Sequence, residues 1–387
     1  MLTNYVTNAV RHLRAHLGHT VVSLLSLTVG LGVSLLVGLW IQQQLRFDAF
    51  HEDADRIYRV VTDLVEGGEA ARPSVAVTSP PMAPALASTD SGVESAVRVD
   101  PWPAGTVQVE SDYFTGDAFF AADAAFFEFF SFPLTKGDPE TALAEPNAVV
   151  LTRSLKMKYF GDDPALGRSI TVGGEDEFTV TGVMADVPDH SHLVFDALVS
   201  RRTVVEGGAE TSSNWAALSL YTYVKLAPEA SASTVGPRIR SLAADNTSSD
   251  IRLPLFLQPL TDIHFEPGLG GDIARTQPPR DLYVFGAIAL FVLLIACVNY
   301  VNLATARSAQ RAREVGVRKS LGATRGQLSR QFLAETVTIA LLAGLGAYGL
   351  AVALLGPFNW IAQSSFAVAD LFRPTLLGGM GLAVVAV

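Results

Sequence analysis

Residues 21–41 carry no charge and are almost all apolar. As a helix rising about 1.5 Å per residue, the run covers roughly 30 Å, the thickness of a bilayer's hydrocarbon core. Residues 282–304 and 332–355 repeat the pattern, the second of these with one carboxylate, Glu335, near its start. Residues 376–387 open a fourth apolar run of 12 residues, short of the roughly 20 that a full span needs. The pattern predicts a membrane protein built on an α-helical transmembrane bundle, with three full spans plus a truncated fourth. Arg11 and Arg14 precede the first run as they would in a signal peptide. The run is too long for one, however, and no small-x-small cleavage site precedes Gln42, so it reads as a retained anchor.

Residues 42–281 follow a shorter rhythm. Arg56 to Val61 reads as a strand, Pro80-Pro81 opens a helix through Ala87, and Val93 to Val99 reads as a returning strand. Val149 to Leu151 leads into Thr152, a helix cap, and Gly161 ends the helix after Phe160. Ser169 to Val172, the Gly173-Gly174 turn and Phe178 to Val183 form a hairpin pattern. A helix over 232–244 and a strand over 253–257 follow, giving a large external α+β domain. Seven phenylalanines lie between Phe119 and Phe132. They could form an apolar contact surface, but each ring gains most by full burial, so core packing is preferred.

Upstream of the first span, Tyr5, Val6, Ala9, Val10, Leu13 and Leu17 fall at helical spacing opposite Arg11, His12, Arg14 and His16. Residues 1–20 thus form an amphipathic helix on the membrane surface or a plain extension of the first span. Within that span Gly30, Ser34 and Gly38 recur every fourth residue and mark a face where another helix packs closely.

Charge orients the chain. The 305–331 loop holds Arg307, Arg311, Arg313, Arg318, Lys319, Arg325 and Arg330 against Glu314 alone. Lysine and arginine in short loops stay inside, which places this loop and the N-terminus in the cytoplasm and 42–281 outside. Residues 42–281 hold 18 basic and 35 acidic residues, a net of −17, but long domains translocate regardless of charge. The single cysteine, Cys297, falls within the second span, so the external domain has no disulfide framework. Its length suffices for an unaided core.

The 305–331 loop carries the most specific chemistry. Residues 287–315 contain no glycine or proline, so the second span is expected to continue as one helix past the membrane surface. Gly322 is a natural stop, and Thr324 with Gln327 matches a capping box for the next helix. Val317 and Leu321 share a face, with Arg318 and Lys319 on others. A short basic helix with an apolar stripe suits docking into a groove of a cytoplasmic partner. The alternative is that the arginines only set topology and bind anionic headgroups.

Arg313-Glu-Val-Gly-Val-Arg-Lys-Ser-Leu-Gly-Ala-Thr-Arg325, followed by Gln331-Phe-Leu-Ala-Glu335, resembles the hallmark stretch of FtsX-like, MacB-type ABC transporter permeases. Ala296 to Arg307 resembles the end of their second span. Phe47-Asp-Ala-Phe-His-Glu-Asp-Ala-Asp-Arg-Ile-Tyr-Arg59 is similar to their segment after the first span. Phe178 to Val183 and Leu260-Thr-Asp-Ile-His264 look like parts of their periplasmic core domain. The resemblance runs over nearly the whole chain in the right order. It implies four spans per unit, the large domain between the first two, and a multi-pass protein of the bacterial inner membrane. It further implies a dimer of permeases working with ABC ATPase subunits, a mechanotransmission role, and a periplasmic adaptor or hydrolase as a further partner. ATPase coupling would then fall on Arg313, Glu314, Val315, Gly316, Val317, Arg318, Lys319, Leu321 and Gly322.

No Gly-x-x-x-x-Gly-Lys-[Ser/Thr] occurs in the 387 residues, so ATP and Mg are expected on a separate ATPase chain and no cofactor on this one. Nucleic acid is not an expected partner. His190-Ser-His192 invites a metal reading, but without a defined third ligand a surface turn is preferred, and no metal is expected. Glu335 could relay protons, although the helix dipole and nearby arginines favour a structural role. No nucleophile or serine–histidine–acid arrangement stands out, so catalysis is not expected. Export or extraction of a substrate (a drug, a peptide or a lipoprotein) is the main reading. An FtsX-like regulator of an external cell-wall hydrolase and a sensory membrane protein are the alternatives.

Overall fold

Helix α1, Leu17–Gln44, carries no charge over its length, and Leu27, Leu31, Leu35 and Leu39 form a buried ridge at every fourth position. It is the first element of the computed structural model, which describes residues 17–63, 74–88, 92–206, 214–246, 254–273, 276–321 and 324–386. The expected amphipathic stretch before Leu17 lies outside the described residues. The chain divides into a helical unit, Met1–Leu45 with Pro279–Val387, and a sheet unit, Arg46–Pro278.

The sheet unit contains strands β1 (Ile57–Thr62), β2 (Val93–Trp102), β3 (Thr106–Val109), β4 (Asp112–Thr115), β5 (Phe119–Ala122), β6 (Leu134–Lys136), β7 (Ala148–Thr152), β8 (Ser169–Val172), β9 (Asp176–Met184), β10 (Ala197–Ser200), β11 (Tyr221–Leu226) and β12 (Leu255–Pro259). Interleaved helices are α2 (Met82–Ser88), α3 (Phe126–Phe129), α4 (Arg153–Phe160), α5 (Arg201–Glu206) and α6 (Ala232–Asn246), and a 3-10 turn spans Leu260–Phe265. The strands join in one mixed sheet in the order β12-β1-β11-β2-β5-β10-β7-β9-β8-β3-β4, with β6 on β9. The pairs β5–β10 and β7–β9 are parallel; their neighbours are antiparallel.

Local signals act where the sequence placed them. Thr152 Oγ1 accepts from Leu155 N to start α4, and Gly161, at φ 56°, closes it. Gly173 and Gly174 both take positive φ in the β8–β9 turn, a conformation that costs glycine little. The seven phenylalanines from Phe119 to Phe132 are all buried. Phe126 stacks on Phe132 and meets Phe127 and Phe195 edge-on, so this run forms core.

In the helical unit α7 spans Pro279–Ser320, α8 Arg325–Ala362 and α9 Pro374–Ala386, with a 3-10 turn at Val368–Phe372 before α9. Helix α8 runs through Pro357 to an αL cap at Gln363. Residues 356–362, which follow the third apolar run, are therefore helical as well. Helices α1, α7 and α8 contain the segments long and apolar enough to cross a membrane. Ala343, Ala347 and Ala351 on α8 are buried at every fourth position and take the leucine ridge of α1.

Candidate functional site

Helix α7 is 42 residues long, about 63 Å at the standard rise. A hydrocarbon core of about 30 Å accommodates half of it. The part over Pro279–Ala306 is apolar enough to cross a membrane. The remainder carries Arg307, Arg311, Arg313, Arg318 and Lys319, and Val317 lies about 17 Å beyond Ala306 along the axis.

Val317 in the last turn of α7 and Leu321 just past its end are 55% and 82% exposed. Leu321 N donates to Val317 O at 3.1 Å, so the two side chains stand one turn apart on one face. Gly316 and Lys319 are exposed and Val315 is half-buried. The side chains of Arg313, Glu314 and Arg318, and all of Gly322, lie outside the described residues. The following helix begins with a full capping box. Thr324 Oγ1 accepts from Gln327 N at 3.3 Å, and Thr324 N donates to Gln327 Oε1 at 3.0 Å. The arrangement is two helices separated by four residues of sequence, with the exposed apolar pair at the end of the first and Lys319 exposed between its members.

The small residues of α1 meet different neighbours. A Cβ on Gly30 would lie 2.7 Å from Ala296 Cβ on α7, and Ser34 Oγ donates to Ala289 O at 3.2 Å on the same helix. Gly38 instead faces Leu376 on α9, where a Cβ would make ordinary contact at 3.7 Å. Four residues advance about 400° around a helix, so the row drifts about 80° from Gly30 to Gly38 and changes partner. Two close approaches not foreseen from sequence join α1 to α8: Gly32 against Leu350, and Gly346 against Thr28.

Two expectations are corrected. His190-Ser-His192 is not a surface turn, since His192 is fully buried. Its main-chain N donates to Asp48 Oδ1 at 3.0 Å and its Nε2 lies 2.8 Å from Tyr223 OH. His192 Nδ1 also lies 2.9 Å from Asp48 Oδ1. Nearby, His51 Nδ1 accepts from Ser131 N at 3.0 Å. Burial pushes the His51 imidazole down to about 3; Asp48 opposes this, while His192, Lys225 and His190 add to it. Among the described residues no group of three or more His, Cys, Asp or Glu side chains is placed to hold a metal. The second correction concerns Glu335. It is the eleventh residue of α8, and a helix dipole fades beyond the first turn, so the dipole does not account for it.

Long apolar helices on both sides of a mixed-sheet domain define a class, a membrane protein with one large domain inserted between its helices. A family model described as the MacB-like periplasmic core domain matches residues 20–242, and one described as the FtsX-like permease C-terminal matches residues 286–387. The chain belongs to this family of MacB-like, FtsX-like permeases. Over 67 residues it is 43% identical to "Uncharacterized ABC transporter permease YknZ" of Bacillus subtilis (strain 168), 17% of each chain. Over 112 residues it is 33% identical to the pyoverdine export ATP-binding/permease protein PvdT of Pseudomonas aeruginosa, 28% of this chain and 17% of that one. The chain thus spans less than two thirds of the length of either relative. Among solved structures, the periplasmic region of MacB from Actinobacillus actinomycetemcomitans aligns at 14% identity and a TM-score of 0.41, over 54% of this chain and 90% of that one.

Proposed function

We propose that the chain is the permease subunit of a MacB-type ABC transporter in a bacterial inner membrane. Helices α1, α7 and α8 cross the bilayer and α9 enters it. The arginine-rich segment 305–331 lies in the cytoplasm and the sheet domain outside. ATP and Mg sit on a separate ATPase chain, which docks on the α7–α8 turn. Two permeases and two ATPases assemble, and closure of the ATPases moves the external domain through the spans, so that work is transmitted to a substrate handled outside.

The observation that supports this reading is the far end of α7, where Val317 and Leu321 are exposed beyond the reach of the hydrocarbon core. Exposed aliphatic side chains in water cost free energy that a partner's groove recovers, about 1.5–3 kcal/mol for each full burial. Lys319, two residues from each member of the pair, together with Arg313 and Arg318 in the same stretch of sequence, would steer association and set its salt dependence. Leu321→Asp is expected to abolish both recovery of the ATPase with the permease and stimulation of its hydrolysis, while insertion stays normal. Lys319→Ala is expected to slow association and leave the complex intact. Parent-like recovery and stimulation by Leu321→Asp would remove this turn as the coupling element.

A further inference from the structure

The two stretches that join the sheet domain to its flanking helices are 45–56 on entry and 260–278 on exit. Connections of this kind ordinarily run over the surface as mobile loops, but here they are tied to each other inside the domain. The rings of Phe47 and His264 stack with centroids 3.5 Å apart and planes within 6°, and both side chains are buried. Gln277 N, two residues before α7, donates to His264 O at 2.7 Å, which brings the last of the exit stretch onto the same turn.

A second tie lies one strand further in. Arg59 on β1 is fully buried. It grips Asp272 of the exit stretch with two parallel bonds, Nη1 to Oδ1 and Nη2 to Oδ2, each 2.8 Å. The same guanidinium donates to Gln258 Oε1, and Gln258 Nε2 donates to Glu266 Oε2 at 2.6 Å. A buried ion pair is a weak way to gain stability, because both charges lose their water. What a two-pronged pair fixes is geometry. The entry stretch is also held to the domain floor, with Asp48 N donating to His190 O at 2.8 Å and Asp48 Oδ1 receiving His192 N.

We propose that Phe47, His264, Arg59 and Asp272 form a clasp that makes the entry and exit connections a single rigid piece. A displacement of either adjoining helix is then handed to the whole sheet domain instead of being absorbed in a linker. This rests on the coupling function proposed above. It gives a physical role to two motifs that the sequence marked without explaining, Phe47 to Arg59 and Leu260 to His264. The four are positioning residues.

The test uses hydrogen exchange on the full chain in lipid nanodiscs. Amides that open as one cooperative unit lose protection together. His264→Ala is expected to speed exchange over 46–56 about tenfold or more, as it does over 260–265, with strands β7 to β9 unchanged. His264→Phe keeps a ring to stack on Phe47 and restores protection in both stretches. Phe47→Leu, which removes the ring but not the apolar bulk, serves if His264→Ala fails to fold, with the same expectation for 260–265. Loosening confined to the mutated stretch would overturn the clasp. A second arm adds the partner ATPase trapped with ADP and vanadate. His264→Ala should still recover and stimulate the ATPase but lose the nucleotide-dependent change in the sheet domain's protection. Full transmission by that variant also overturns the clasp. Failure of the parent to recover any ATPase would count against the coupling function alone, and the first arm would still decide whether the connections are tied.

Discussion

In the sheet domain the rings of Phe126, Phe130 and Phe178 are sealed from the surface, whereas in the helical unit Tyr283, Phe291 and Trp360 stand out from it. In the helical unit small side chains take interior places against the leucine ridge of α1. Ala343, Ala347 and Ala351 form part of the interior of the helical unit, and Gly30 lies where α1 packs too tightly on α7 to admit a Cβ without a shift. One chain therefore uses the same alphabet under two rules. Water drives large apolar groups inward. Lipid tails are as apolar as leucine and exert no such drive, so helices associate through small residues that let backbones approach. Which rule a segment obeys identifies the solvent it was built for.

The largest expected effect tests that contrast on one side chain. Phe126→Ala removes a ring packed on Phe127, Phe130, Phe132 and Phe195 and should cost about 3–5 kcal/mol. Phe291→Ala, at a position 63% exposed, should stay within about 0.5 kcal/mol. Unfolding of each variant in nanodiscs, followed by hydrogen exchange in the mutated unit, gives both numbers. Comparable losses at the two sites would break the comparison.

The sequence disclosed the parts of each unit that depend on near neighbours. Unbroken apolar runs marked α1, α7 and α8. Thr152, Gly161, the Gly173-Gly174 turn and the Thr324–Gln327 box were legible because a cap or turn is decided within four residues. Strand order was not legible. β5 (Phe119–Ala122) and β10 (Ala197–Ser200) are buried along their whole length, show no alternation, and pair in parallel 78 residues apart. The burial of His192 escaped for the same reason, since its partner Asp48 lies 144 residues earlier. The Phe47 to Arg59 motif was visible as a string, but its meaning depends on His264 and Asp272 at the far end of the domain.

A middle-sized effect sharpens the helical half of the comparison. If small residues hold that unit together, their value depends on what they face. Gly30→Ala places a methyl 2.7 Å from Ala296 Cβ, so α1 and α7 must part, at about 1–3 kcal/mol. Gly38→Ala meets Leu376 Cδ2 at 3.7 Å and should be neutral or slightly stabilising through helix propensity. Heating the two variants in nanodiscs and following the retained folded fraction ranks them. An equal response would mean that close approach at Gly30 carries no energy.

The last test belongs to the sheet domain alone and uses pH as the handle. His51 is buried and held neutral, its pKa lowered to about 3 from 6.5, first by burial and then by His192, Lys225 and His190 against the pull of Asp48. Above pH 6.5 the imidazole is neutral in both folded and unfolded chains and its contribution is fully present. As pH falls below that value the unfolded chain takes up a proton that the folded domain refuses. Stability is then lost down to about pH 3, where the folded form is protonated as well. The slope of that loss is at most about 1.4 kcal/mol per pH unit. Other groups titrate over the same range, so the informative quantity is a difference between two proteins. His51→Gln cannot take the proton, yet its amide oxygen can still accept from Ser131 N. Sheet-domain stability of parent and variant, measured by exchange of the strand amides between pH 6 and 4, should diverge, with the parent falling more steeply. Parallel slopes would show that His51 titrates alike in the folded and unfolded chain, and that burial in this domain does not reach its charge.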